Sequence, residues 1–166
     1  MQQPAPTDVA ALLDQAVTRA IPNQHGVAAW QALIRAHATL MRQLTTDLVE
    51  IIGLTLGDFD VLAQLGHAGG ELRMSELAAQ AYSSRSGMTR RIDRLVDEGL
   101  VTRAATDTDG RGVVVALTAA GVARVVEAAP VHLHRVSELF VEKLSDDELA
   151  TLAKALEKVS VDCGFG

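Results

Sequence analysis

Between Leu100 and Leu117 the chain changes its hydrophobic period, and this change restricts the fold more than any other feature. Leu100-Val-Thr-Arg-Ala-Ala-Thr106 and Arg111-Gly-Val-Val-Val-Ala-Leu117 are β-prone segments on either side of Asp107-Thr108-Asp109-Gly110. An Asp-Gly pair between two such segments is a strong hairpin signal, because glycine takes the positive φ that a tight turn between twisted strands requires. Elsewhere apolar residues recur every three or four positions, the spacing of helices that bury one face. The pattern is mainly α with a single small β-hairpin.

The helical stretches have readable ends. Residues 1–6 form a tip, and Thr7 to Ile21 places Val9, Leu12, Leu13, Ala16, Val17 and Ala20 at helical spacing. Pro22 to Gly26 is a break. A long helix follows over 27–52, with Trp30, Leu33, Ile34, His37, Leu40, Met41, Leu44, Leu48 and Ile51 on one stripe, stopped by Gly53. Thr55-Leu-Gly-Asp58 resembles a capping box and opens a helix to about Leu65. A short helix is expected from about Arg73 to Ala81. Ser83 or Ser84 then caps another, which turns Met88, Ile92, Leu95 and Val96 inward and ends at Gly99. After the hairpin, Thr118 caps a helix expected over 119–143, kinked or divided at Pro130. Ser145-Asp-Asp-Glu148 caps a last helix to about Ser160.

Composition excludes several classes. The chain has 166 residues, enough for one domain extended by helices used in assembly. Its mean hydropathy is +0.17, yet no strictly apolar run exceeds the five residues of Val113 to Leu117, far short of the roughly twenty that span a membrane. Met1-Gln2-Gln3-Pro4-Ala5-Pro6 lacks the basic and apolar regions of a signal peptide. The single cysteine, Cys163, makes neither a disulfide framework nor a Cys-rich zinc site. A soluble cytoplasmic protein without membrane contact is expected. The formal charge of −6 argues at first against a nucleic-acid partner.

The order helix, short helix, tight turn, helix, hairpin answers that objection, because it is the order of a winged helix-turn-helix. The second helix of such a pair lies in the DNA major groove and must present side chains that reach phosphates and base edges. Here it reads Ser84-Arg85-Ser86-Gly87-Met88-Thr89-Arg90-Arg91-Ile92-Asp93-Arg94. Arg85, Ser86, Thr89, Arg90 and Arg94 fall largely opposite Met88, Ile92 and Leu95. Ser84 and Ser86 stand near the helix N-terminus, where free N–H groups favour phosphate. Four Arg and one Asp give this stretch a net +3, so the acidity lies in the rest of the chain. Four arginines alone would describe an ordinary solvated helix face. The capped turn, the Gly99 stop and the Asp-Gly hairpin around them point to double-stranded DNA.

These motifs resemble the multiple antibiotic resistance regulator (MarR) family of bacterial transcription factors. The resemblance lies in Glu76-Leu77-Ala78, Ser86-Gly-Met-Thr-Arg90, Arg94-Leu95, Glu98-Gly-Leu-Val-Thr-Arg103, Asp109-Gly110-Arg111 and Leu117-Thr-Ala-Ala-Gly121, and covers about residues 27–160. It implies a homodimer on a pseudo-palindromic operator, with 27–54 and 118–162 as dimerisation helices, 55–117 as the DNA-binding domain and 1–26 as an N-terminal tip with a short helix. It implies DNA contacts from Ser84, Arg85, Ser86, Thr89, Arg90 and Arg94, and from Arg111 in the wing, which Asp109 and Gly110 position. Repression relieved by a small aromatic or phenolic ligand is the family's tendency; on the stripe of 27–52, Trp30 reads as a core anchor or a face for an aromatic ligand, and His37 as an interface histidine or a ligand-binding residue. Two departures stand in the wing: Gly110 where the family usually has a second basic residue, and Thr108 where it often has proline. Arg73 stands where a Ser or Thr cap is common.

Other chemistries find little support. His132 and His134 are two apart, a poor spacing for metal ligands on one helix, and His134 with Glu138 reads as a solvated or hydrogen-bonded pair. No phosphate loop, dinucleotide fingerprint or nucleophile elbow occurs, so neither a metal, a cofactor nor an enzymatic activity is expected. A winged helix used only to bind proteins, without DNA contact, is the alternative.

Overall fold

The computed structural model describes the backbone of residues 6–21, 23–80, 85–105 and 112–162. By compactness the chain divides into Met1–Arg42 and Gln43–Gly166, and a single helix passes from one unit to the other.

The first unit holds α1 (Pro6–Ala20) and the beginning of α2 (Gln24–Ile52). The expected break is present but shorter. The Asn23 side-chain oxygen accepts the His25 N–H at 3.0 Å, and the Asn23 carbonyl accepts from Gly26 at 2.9 Å, so α2 begins at Gln24 rather than Val27. Val9, Leu12 and Leu13 of α1, and Trp30 and Ile34 of α2, are exposed in the single chain.

The second unit carries the end of α2, then α3 (Leu56–His67), β1 (Glu71–Arg73), α4 (Met74–Gln80), α5 (Arg85–Asp97), β2 (Val101–Ala105), β3 (Val113–Leu117), α6 (Ala119–Leu139), a 3-10 turn (Val141–Lys143) and α7 (Asp146–Asp162). Thr55 caps α3 as expected, its hydroxyl oxygen accepting from the Asp58 N–H at 3.2 Å. α3 runs one half-turn past Leu65, to His67. α4 opens without a Ser or Thr cap. The Arg73 N–H instead donates to Glu76 Oε2 at 2.9 Å, the reciprocal half of a capping box.

The two hairpin strands belong to a three-stranded antiparallel sheet in the order β1-β3-β2, with β3 central and Leu72 and Arg103 both registered on Val115. β1 has no counterpart in the sequence pattern, since three residues after a double glycine carry no period. Its neighbours bury Val115 and Val101 against Leu62, Leu65, Leu77 and Ile92, and this cluster is the core on which α4 and α5 are mounted.

Two junctions hold the hairpin to its helices. α5 ends as a Schellman motif: the Leu100 N–H reaches the Leu95 carbonyl and the Gly99 N–H the Val96 carbonyl, both at 2.9 Å, with Gly99 at φ 71°. At the far end, Thr118 caps α6 by accepting from Gly121 N–H at 3.0 Å and donates to the Gly99 carbonyl at 2.7 Å. The Leu-Thr-x-x-Gly motif thus ties three elements together.

α6 continues through Pro130 without division and ends at Leu139; the separation from α7 falls at the 3-10 turn instead. Ser145 and Glu148 form the expected capping box of α7, with the Ser145 N–H donating to Glu148 Oε2 at 2.9 Å.

Candidate nucleic-acid interface

α5 is amphipathic in the manner its sequence predicts. Met88, Ile92 and Leu95 are at most 1% exposed and fix one face in the core. Thr89 and Arg90 stand exposed on the helix. The described part of α5 begins at Arg85, and the side chains of Arg85 and Ser86 lie outside the described residues, as do Ser83, Ser84, Asp109, Gly110 and Arg111. Trp30 and His37 are exposed on α2 within the first unit.

Arg91 and Arg94 of α5 are engaged from below. Asp58, in the first turn of α3, has a side chain 4% exposed, and its Oδ1 accepts from Arg91 at 3.1 Å and from Arg94 at 2.5 Å. Oδ2 accepts from the Thr55 hydroxyl at 2.6 Å. Arg94, read from the sequence as a DNA-facing residue, is half exposed and points one nitrogen at this carboxylate. Gly57 makes room for the arrangement: a Cβ there would fall 2.2 Å from Arg91 Nη1. On the hairpin side, Arg103 of β2 reaches Asp93 of α5 at 2.6 Å. Buried apolar anchors on one face and ion pairs on two flanks seat α5 on its mount.

Asp58 as a charge partner, Arg91, Asp93 and Arg103 did not emerge from sequence patterns. Asp58 was legible only as a cap, because its partners lie 33 and 36 residues away. Acidic residues beside a basic helix are the only signal, and they do not say which pairs form.

Among the described residues the other titratable groups do not assemble a reactive centre. His132 packs on Phe59 with ring centroids 4.8 Å apart, and burial holds its pKa below the usual histidine value, only partly offset by the charge of Asp60. His134 Nε2 lies 3.5 Å from Glu138 Oε1, the pair expected from their spacing. Arg135 Nε donates to Asp47 at 2.7 Å and its Nη1 to Glu138, a part-buried network between α2 and α6 within the second unit. Among the described residues no three His, Cys, Asp or Glu side chains come together as metal ligands, and Cys163 lies outside them.

The arrangement suits a groove rather than a substrate. A single helix with polar side chains on its exposed face matches the roughly 12 Å major groove of B-DNA, and guanidinium groups match both phosphate and the guanine edge.

Comparison with known proteins agrees with this geometry. The model of the MarR family matches residues 52–112, from the end of α2 to the foot of β3. An uncharacterized HTH-type transcriptional regulator of Bacillus cereus is 30% identical over 137 residues, covering 82% of this chain and 90% of the relative. Among solved structures, AbsC, a MarR family transcriptional regulator from Streptomyces coelicolor, superposes with a TM-score of 0.80 at 29% identity, over 87% of this chain and 97% of AbsC. Sco3205, a MarR family regulator from the same organism solved in complex with DNA, superposes with a TM-score of 0.78 at 26% identity, over 83% and 87% of the two chains. Fold, motif order and likeness over most of the chain lead to one conclusion: this protein belongs to the MarR family of helix-turn-helix transcriptional regulators.

Proposed function

We propose that the protein acts in the cytoplasm as a homodimeric repressor that binds a pseudo-palindromic double-stranded operator and is released by a small aromatic or phenolic ligand. The observation that carries the reading is α5: three buried anchors and two flanking ion-pair sites hold Thr89 and Arg90 outward. Ser84, Arg85, Ser86 and Arg94 join them as proposed contacts in the major groove. Arg111 is the proposed contact of the wing, whose turn Asp109 and Gly110 set. The reading assigns no catalysis, cofactor or metal, and among the described residues no helix is long and apolar enough to cross a membrane.

Dimerisation is supported by apolar side chains that a lone chain leaves in water. Leu13 of α1 is 61% exposed, Val126 and Leu133 of α6 are 67% and 63%, and Val159 of α7 is 57%. Apolar surface repeated along terminal helices is covered by association with a second copy. Two recognition helices then meet major grooves one helical turn apart, and a bound dimer occludes the promoter. Trp30, 58% exposed, offers a face on which an aromatic ligand can stack, and His37 lies two turns further along α2. A ligand that favours a different spacing of the recognition helices empties the operator.

The test is a mobility shift on the duplex upstream of the protein's own gene, across a range of salt and with candidate phenolic anions. Retention that falls steeply with salt supports the reading. A dimer with no salt-dependent retention on any duplex overturns it and leaves the protein-binding alternative.

A further inference from the structure

Among the described residues Asp58 is the one charged side chain that is buried, and two guanidinium groups share a single oxygen of it. Its position does not depend on them. The Thr55 hydroxyl donates to Oδ2, and the Asp58 N–H returns a hydrogen bond to the same hydroxyl, so the carboxylate is set by the start of α3. Gly57 adds a second, independent feature, a space without a Cβ filled by the Arg91 guanidinium.

We infer that Asp58, with Gly57, sets the specificity of the DNA-reading surface by holding Arg91 and Arg94 in place and withholding part of their charge from phosphate. The inference rests on the DNA-binding reading above. Non-specific affinity for duplex DNA comes almost wholly from cations that displace counterions from phosphates, whereas base contacts supply discrimination. Free guanidiniums on a recognition helix strengthen binding to every sequence alike. A guanidinium facing a buried carboxylate has less charge to give, and the attraction that holds it is stronger than a surface pair would allow. The same pairing removes the side-chain freedom that two long arginines would otherwise lose on contact. Arg91 and Arg94 remain 25% and 49% exposed, so both stay at the surface while paired with the carboxylate. Asp58 is therefore a positioning residue, and it acts through the arginines it holds.

The test compares the full-length protein with two variants on the duplex upstream of its own gene and on a scrambled duplex of equal length, each over a salt series. Asp58→Asn keeps the shape of the side chain and removes its charge. It is expected to tighten binding to the scrambled duplex by about threefold to tenfold, to lower the ratio of specific to scrambled affinity, and to steepen the salt slope by about one, the value of one added phosphate contact. Adding Arg94→Gln to Asp58→Asn returns the slope toward that of the parent. Gly57→Ala leaves every charge in place and displaces Arg91 from its seat, so it shifts ratio and slope in the same direction by less. It decides the matter should Asp58→Asn not fold.

Folded variants that keep the parental ratio and slope overturn the inference. So does a parallel loss of affinity for both duplexes at unchanged slope, the signature of a merely structural carboxylate. If the parent itself binds neither duplex, the DNA-binding reading fails first and this inference with it.

Discussion

Replacing Gly121 with alanine has the opposite sign here from its sign in an ordinary helix. In the first turns of an exposed helix, Gly→Ala stabilises by up to about 1 kcal/mol through reduced backbone entropy. In α6, a Cβ at Gly121 would stand 2.0 Å from the Leu100 carbonyl oxygen and 3.1 Å from both the Leu100 carbonyl carbon and Leu117 Cδ2. Ordinary contact starts at 3.4 Å, so backbone must move by more than an ångström. That movement separates α6 from the end of α5, where Thr118 bridges the Gly99 carbonyl and the Gly121 N–H. Overpacking of this kind costs about 1–3 kcal/mol, and the strained Thr118 hydrogen bonds add about 1 kcal/mol. A net loss of about 2–4 kcal/mol lowers Tm by roughly 5–15 °C for a chain of this size. The assay is thermal unfolding of parent and variant at equal protein concentration, with Ala120→Gly as a control for helix propensity at an exposed neighbour. A Gly121→Ala protein as stable as the parent, or more so, refutes the close approach between α6 and Leu100.

Three further outcomes are expected. Ile92→Ala empties the inner face of α5, where Ile92 is fully buried, and costs about 2–5 kcal/mol in urea unfolding; a cost below about 1 kcal/mol would show that α5 is not seated in this core. Burial lowers the pKa of His132, so the unfolded chain takes up that proton first and the group's share of stability falls as pH drops through its ordinary value of about 6.5; His132→Leu should flatten the decline of Tm between about pH 7.5 and 5.5, and an unchanged decline would contradict the burial. Hydrogen bonds from Arg135 and then Gln43 hold the Asp47 pKa below its usual range, so its contribution is present above the ordinary carboxylate pKa and is lost as pH falls below it. The Tm gap between parent and Asp47→Asn should therefore be widest at neutral pH and narrow as the pH falls below the ordinary carboxylate value; a gap that stays constant as the solution is acidified would refute the pairing.

Where structure follows from neighbours in sequence, it was legible. The Thr55, Thr118 and Ser145 caps, the Schellman turn at Gly99 and the inward set Met88, Ile92 and Leu95 all depend on spacings of three to five residues. The missed features depend on distance or on competition. β1 is too short to show a period and exists because the edge of β3 needs a partner. Pro130 does not divide α6, which ends only at Leu139, nine residues beyond it. α2 starts early because the Asn23 side chain caps it, a local signal masked by the stronger breakers Pro22 and Gly26. In the interface, the exposed positions of Thr89 and Arg90 follow from the helical period. That Arg94 and Arg91 converge on Asp58 does not, since the helical period says which way a side chain leaves the helix and nothing of what meets it there.

The central claim, that α5 reads the major groove, is tested most directly by methylation interference on the duplex upstream of the protein's own gene. A methyl group on guanine N7 stands in the major groove and leaves the phosphates untouched. Reading by two copies of α5 predicts that methylation blocks binding in two clusters about 10 base pairs apart, centre to centre. Binding that no guanine methylation disturbs, at any position, would contradict it.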